Sequence, residues 1–173
     1  MKRSATPSYP TPTKRKGSMP SRIHLGDEWM CAGVVPVRRG VLGWEMLAVV
    51  ETKGQNTVLS PLKGKRETGE ETPAETAARE FNEESNGAFR SLDAGELNDD
   101  SRIYISQGKM VFYHFEVQGE KELVPENKRV VWAPIAYGIR QEYLDALQDH
   151  LGLASKIKAH FAFTMVASRL KQL

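Results

Sequence analysis

Apolar positions along the chain fall into short runs and alternations, with one strongly amphipathic stretch in the middle. Trp29 to Val37 (WMCAGVVPV) reads as a buried strand with Pro36 near its end. Arg38 to Gly43 carries Gly40 and Gly43, suited to a hairpin connection, and Trp44 to Val50 (WEMLAVV) is the returning strand. Gly54-Gln55-Asn56 turns the chain again, and Thr57 to Ser60 is a short strand leading into a glycine loop. A helix then begins with Thr72 at N-cap, Pro73 at N1 and Glu75 at N3. These form a capping box, with the proline where its missing N–H is harmless. Ser101 to Ser106 and Met110 to Val117 pattern as a second hairpin around Gln107-Gly108-Lys109, and Arg129 to Pro134 as one more strand. Tyr137 to Gln148 and Ala154 to Leu173 have helical periodicity and are separated by Gly152. No internal repeat is present. The order predicts a mixed α/β (or α+β) domain in which helices cover a sheet.

Composition narrows this picture. At 173 residues the chain holds one ordinary domain, and its 40% hydrophobic and 27% charged content excludes a wholly disordered chain or a fibre. No apolar run approaches the roughly 20 residues needed to span a bilayer, so no membrane partner is expected. The basic N-terminus lacks the apolar core of a secretory signal. Cys31 is the single cysteine, which excludes an internal disulfide and a cysteine-based zinc site. An intracellular location follows as an expectation, cytoplasmic rather than nuclear, since Lys14-Arg15-Lys16 is a poor nuclear signal.

The net charge of +2 conceals an asymmetry. Residues 1–26 carry six basic side chains (Lys2, Arg3, Lys14, Arg15, Lys16, Arg22), no acid and four of the nine prolines, leaving 18 basic against 22 acidic residues beyond them. A tail over 1–26, too polar to build a core, therefore precedes a mildly acidic domain over 27–173. The tail is either a solubilising leader or a weak electrostatic contact for nucleic acid.

Candidate chemistry lies in the loop Leu62-Lys63-Gly64-Lys65-Arg66-Glu67-Thr68-Gly69-Glu70 and the helix after it, where residues 79–84 read R-E-F-N-E-E. At about 100° per residue, Glu80, Glu83 and Glu84 share one arc of about 100°, beside the stripe of Ala74, Ala77, Ala78 and Phe81. The acidic face thus borders the buried stripe. Glu80 and Glu84 are like charges at i,i+4, which costs about 0.2–0.5 kcal/mol in an isolated helix, and only Arg79 to Glu83 is a complementary pair. A hard divalent cation, Mg²⁺ or Mn²⁺, would reverse that cost. Lys63, Lys65 and Arg66 add positive charge where phosphate oxygens need it. Acids for a metal and bases for phosphate within one short stretch suit a phosphate-ester or pyrophosphate hydrolase.

Residues 64–87 (GKRETGEETPAETAAREFNEESNG) resemble the Nudix box, G-x5-E-x7-R-E-U-x-E-E-x-G-U, with a full match in R-E-F-N-E-E. The spacer before Arg79 is one residue longer, so the first box glutamate is Glu70 counted forward or Glu71 counted back. The closing glycine position falls on Asn86, with Gly87 one later. The resemblance implies an α/β/α sandwich with a mixed sheet. It also implies an acid anhydride hydrolase in which Mg²⁺ (or Mn²⁺) is held by Gly64, Glu80, Glu83 and Glu84. Arg79 would orient the glutamates, partnered by Glu70 or Glu71, and Glu83 would be a third ligand or hold the water.

Lys63, Lys65, Arg66 and Tyr104 are the substrate-binding candidates. Glu116, Glu120 and Glu126 are candidates for a further carboxylate, while His114, within a strand's alternation, reads as structural. The entry Pro61-Leu62-Lys63-Gly64-Lys65 is similar to the P-K-G-K run of members acting on dinucleoside polyphosphates, diphosphoinositol phosphates and mRNA caps, with Leu62 extra. The expected activity is cleavage of a diphosphate link in a nucleoside polyphosphate derivative, a dinucleoside polyphosphate or capped RNA. Diphosphoinositol polyphosphate hydrolysis and a non-catalytic binding module are the alternatives. A phosphorylated small molecule or RNA cap is the expected partner, and the chain is expected to be a monomer or homodimer. A dimer contact through the helix at Ala154 to Leu173 stands against that helix simply covering the sheet.

Overall fold

A computed structural model of the chain describes residues 29–67, 72–85, 91–117 and 129–171. The first apolar run is strand β1 (Cys31–Gly40), and its side chains divide alternately between two clusters. Cys31, Val35 and Val37 enter one, Ala32 and Val34 the other. A strand apolar on both faces must lie inside a sheet covered on both sides. Around it come β2 (Gly43–Lys53), β3 (Asn56–Ser60), β4 (Gly64–Lys65), β5 (Arg102–Ile105), β6 (Met110–Glu116), β7 (Val130–Pro134) and β8 (Ile157–Ala159). The order is β5-β6-β1-β2-β3-β8, with β4 paired to β1 and β7 to β2. The sheet is mixed: β1 runs parallel to β6 and β3 parallel to β8, while β1–β2, β2–β3, β2–β7 and β5–β6 are antiparallel.

Among the described residues, three α-helices close the two faces. Helix α1 (Pro73–Ser85) buries Ala77, Ala78 and Phe81 against Ala32, Val34, Val111 and Tyr113. Helices α2 (Gln141–Leu151) and α3 (Phe161–Leu170) bury Leu144, Leu147, Phe163, Val166 and Leu170 on the opposite face, over Val35, Met46 and Phe112. The expected α/β/α sandwich is what forms. A third, smaller cluster of Leu47, Val49, Leu62 and Val130, with Trp132 against it, includes cross-strand partners of β2 and β7.

Two elements differ from the sequence reading. Residues 137–140 form a turn, closed by the Arg140 N–H donating to the Tyr137 carbonyl (2.9 Å), and α2 starts only at Gln141. The stretch from Ala154 is not one helix. Gly152 ends α2 in the left-handed conformation, Ile157–Ala159 becomes β8, and α3 begins after His160, whose Nδ1 accepts from the Ala162 N–H (3.0 Å). The partner of β8 is β3, about a hundred residues upstream, and no local periodicity records such a pairing. The helix weighed as a dimer contact spends its apolar residues on the core, which corrects that reading of its apolar face.

Candidate active site

The site is assembled where the chain leaves β3, crosses β1 and enters β4. Gly33 permits the crossing: a Cβ there would lie 2.0 Å from the Leu62 carbonyl oxygen. The crossing sets Gly64 opposite Ala32 and Lys65 opposite Cys31. At Gly64 the space of a side chain is filled from the other side, because a Cβ would lie 1.8 Å from Cδ of Glu80 and 2.1 Å from its Oε1. Loop backbone and helix carboxylate therefore converge at this residue.

Helix α1 is fixed at both ends. The Thr72 N–H donates to Glu75 Oε1 (2.9 Å) and the Glu75 N–H to Thr72 Oγ1 (3.1 Å), the reciprocal capping box expected from the sequence. Farther along, the Asn82 amide clamps Leu92, donating to its carbonyl and accepting from its N–H, both at 2.9 Å. Sequence reading missed Asn82, whose partner lies ten residues on in a loop with no pattern.

The acidic arc runs from the loop side out to solvent. Thr76, on the same arc, is fully buried; the Glu80 side chain is 17% exposed and that of Glu83 61%, and Oε1 of Glu84 is buried. Arg79 ties the arc to the loop. Its Nη1 lies 2.8 Å from Glu80 Oε2, 3.5 Å from Glu83 Oε1 and 3.4 Å from Glu67 Oε2, while Nη2 donates to the Lys65 carbonyl at 3.1 Å. Among the described residues, the loop carboxylate that reaches Arg79 is Glu67, which sequence reading passed over because it sits three residues short of the box spacing. Glu70 and Glu71 lie outside the described residues, as do Asn86, Gly87, Glu120, Glu126 and the tail.

The three basic candidates are held differently. Lys63 Nζ donates to Ser60 Oγ (3.3 Å). Arg66 lays its guanidinium over the Trp29 ring, 4.4 Å from the centroid, and its backbone N–H donates to the Met30 carbonyl (2.9 Å). The Lys65 side chain is exposed. Burial pushes the Cys31 thiol up, against a smaller downward pull from Lys63 and Lys65, which disfavours its thiolate.

Three further candidates lie on β5 and β6. Tyr104, opposite Val111 on β5, packs with the cluster under α1. Glu116 is exposed opposite Val37, about 16 Å along β1 from the Ala32–Gly64 pair. His114 is half-buried on β6 and burial lowers its pKa, in keeping with a structural role.

The donor set suits a hard divalent cation in kind: carboxylates and a backbone carbonyl. The space at Gly64, which a Cβ would fill and which Glu80 enters, is the convergence that such an ion requires. Among the described residues, no three His, Cys, Asp or Glu groups are gathered closely enough to form a finished centre, and Arg79 holds two of the carboxylates. The fit is therefore one of donor type and of the Glu80–Gly64 approach.

The chain matches the NUDIX domain over residues 30–143, two thirds of its length, and it belongs to that family, hydrolases that act on pyrophosphate bonds and generally use divalent metals. Similar solved structures include an Ap4A hydrolase from C. elegans, 19% identical with a TM-score of 0.47, covering 70% of this chain and 94% of that one. A binary complex of a C. elegans Ap4A hydrolase is 15% identical with a TM-score of 0.48, covering 83% and 98%. The Nudix hydrolase RenU from M. smegmatis is 15% identical with a TM-score of 0.45, covering 84% and 85%. No curated protein matches the sequence. Among the described residues, no helix is long and apolar enough to cross a membrane.

Proposed function

We propose that this Nudix domain hydrolyses a diphosphate link in a nucleoside polyphosphate derivative, a dinucleoside polyphosphate or capped RNA, with Mg²⁺ or Mn²⁺. The observation that carries the reading is the closure of the Glu80 carboxylate onto Gly64, with Arg79 bridging helix and loop. Gly64, through its carbonyl, and Glu80, Glu83 and Glu84 would hold the cation. When bound, it neutralises diphosphate charge and makes a water more acidic. Arg79 orients Glu80 and Glu83 through its ion pairs, and Glu83, the most exposed of the three, would hold the attacking water. Lys63, Lys65 and Arg66 offer positive charge to phosphate oxygens as a bond to one phosphorus forms and the bond to the leaving phosphate breaks. Three basic residues in the four positions 63–66 favour a substrate with several phosphates. The tail over 1–26 adds weak, salt-sensitive attraction for RNA.

The test compares wild type with Glu84→Gln on diadenosine polyphosphates, capped RNA, diphosphoinositol phosphates, ADP-ribose and NADH in ¹⁸O-labelled water. Metal-dependent cleavage of the first two classes, abolished by EDTA and by the substitution, supports the reading, and the label marks the attacked phosphorus. Cleavage confined to another class overturns the substrate assignment. Silence across the panel from folded protein overturns the catalytic reading in favour of a binding module.

A further inference from the structure

Thr76 stands in the interior of α1 with none of its surface exposed. Its backbone N–H donates to the Thr72 carbonyl at 3.0 Å, an ordinary helical bond. Among the described residues, its Oγ1 has no hydrogen-bond partner. A buried hydroxyl without a bond has given up its water for nothing, and native folds rarely leave one so. The usual outlet for such a hydroxyl, a bond to the carbonyl four residues back, is not made. Packing gives no reason for it either. Neighbouring Ala77 and Ala78 close α1 onto the sheet with methyl groups, and a β-branched residue is a poorer helix former than alanine.

The place of Thr76 on the helix supplies a reason. It lies one turn before Glu80, about 40° around α1 and about 6 Å along it. Helical side chains lean toward the N-terminus, so each covers the residue about four positions earlier. Glu83 follows this rule with Arg79, its Oε1 lying 3.5 Å from Nη1. The same lean carries the Glu80 carboxylate over Thr76, on the side where α1 meets Gly64. The bond that Glu80 receives from Arg79 is shared, because Nη1 has two hydrogens and faces three carboxylates, those of Glu80, Glu83 and Glu67. A carboxylate that ligates a cation through one oxygen is held in place by a donor on the other.

We propose, resting on Glu80 as a ligand of the divalent cation, that Thr76 is a positioning residue: its hydroxyl donates to the Glu80 carboxylate in the cation-bound form and fixes which oxygen faces Gly64. The proton stays on the threonine, and Thr76 touches neither cation nor substrate. The hydroxyl then aids cation binding while weakening the fold, so removing it should move the two in opposite directions.

The test is calorimetric titration of the full chain with Mn²⁺, beside thermal melts without added metal, for wild type, Thr76→Val and Thr76→Ser. Valine keeps the shape and deletes the hydroxyl, whereas serine keeps the hydroxyl. Thr76→Val should melt no lower than wild type yet bind Mn²⁺ about 10–100-fold more weakly, and Thr76→Ser should bind within about threefold of wild type. The proposal is overturned by equal affinity in wild type and Thr76→Val, by an equal loss in both variants, or by a Thr76→Val protein clearly less stable than wild type. A wild type that takes up no Mn²⁺ removes the metal reading itself, and this role for Thr76 with it. Binding that is the same in wild type and Thr76→Val removes the role alone.

Discussion

A methyl group at position 64 would have to share its space with a carboxylate. Its nearest neighbours would be Cδ, Oε1 and Cγ of Glu80, the end of a flexible side chain that can swing away at small cost to the fold. Gly64→Ala is therefore expected to lower turnover by about a hundredfold, as misplacements of about 1 Å do, while the melting temperature stays within about 2 °C of wild type. Paired turnover and melting measurements on one preparation check this. Glu84→Gln should behave alike, losing at least about a hundredfold in turnover with the fold kept, because it removes the charge of a proposed ligand without changing shape. Calorimetric Mg²⁺ titration should show weakened binding; unchanged binding and turnover would sink the ligand assignment.

Elements depend on contacts of a different kind. At Gly33 the atoms a Cβ would meet are the Leu62 carbonyl and Lys63 Cα, backbone that cannot swing aside. Gly33→Ala should cost about 1–3 kcal/mol, lower the melting temperature by several degrees and reduce turnover as well, because the same crossing positions Gly64. Setting it beside Gly64→Ala separates a glycine needed by the fold from one needed by the site. Thr72→Ala removes the hydroxyl that caps α1 and should cost about 1 kcal/mol, or about 2–4 °C in a chain of this size, readable in a thermal melt.

For the whole molecule, pH dependence follows from two histidines. Burial lowers the pKa of both His114 and His160, and Lys63 and Lys53 push His160 the same way. The folded state then holds them neutral while the unfolded chain takes up protons first as pH falls through the ordinary value near 6.5. Their contribution is complete above that value and is lost as pH drops through it toward the lower folded values. The melting temperature should fall from about pH 7 to pH 5, and His160→Asn, which keeps a capping side chain, should flatten the fall. An identical slope in the variant would remove His160 from the account.

What the sequence determined by itself was whatever neighbours within a few residues decide. The capping box at Thr72 and Glu75, the Ala77–Ala78–Phe81 stripe, the doubly apolar β1 and the family-defining R-E-F-N-E-E stretch all rest on local spacing, and all appeared where expected. Tertiary structure decided what distant segments do to one another. It split the acidic arc into the partly buried Glu80 and the exposed Glu83 and brought Glu67 to Arg79. It also left Glu116 about 16 Å away and drew Ile157–Ala159 out of a helix to pair with β3. The exposure of Val41, Leu42, Tyr137 and Ile139 belongs here too, because a residue's exposure is settled only by what the rest of the chain covers. A cap or a stripe is set by bonds and angles along a few residues, whereas strand pairing and burial depend on segments separated by tens of residues, whose meeting the local pattern does not encode.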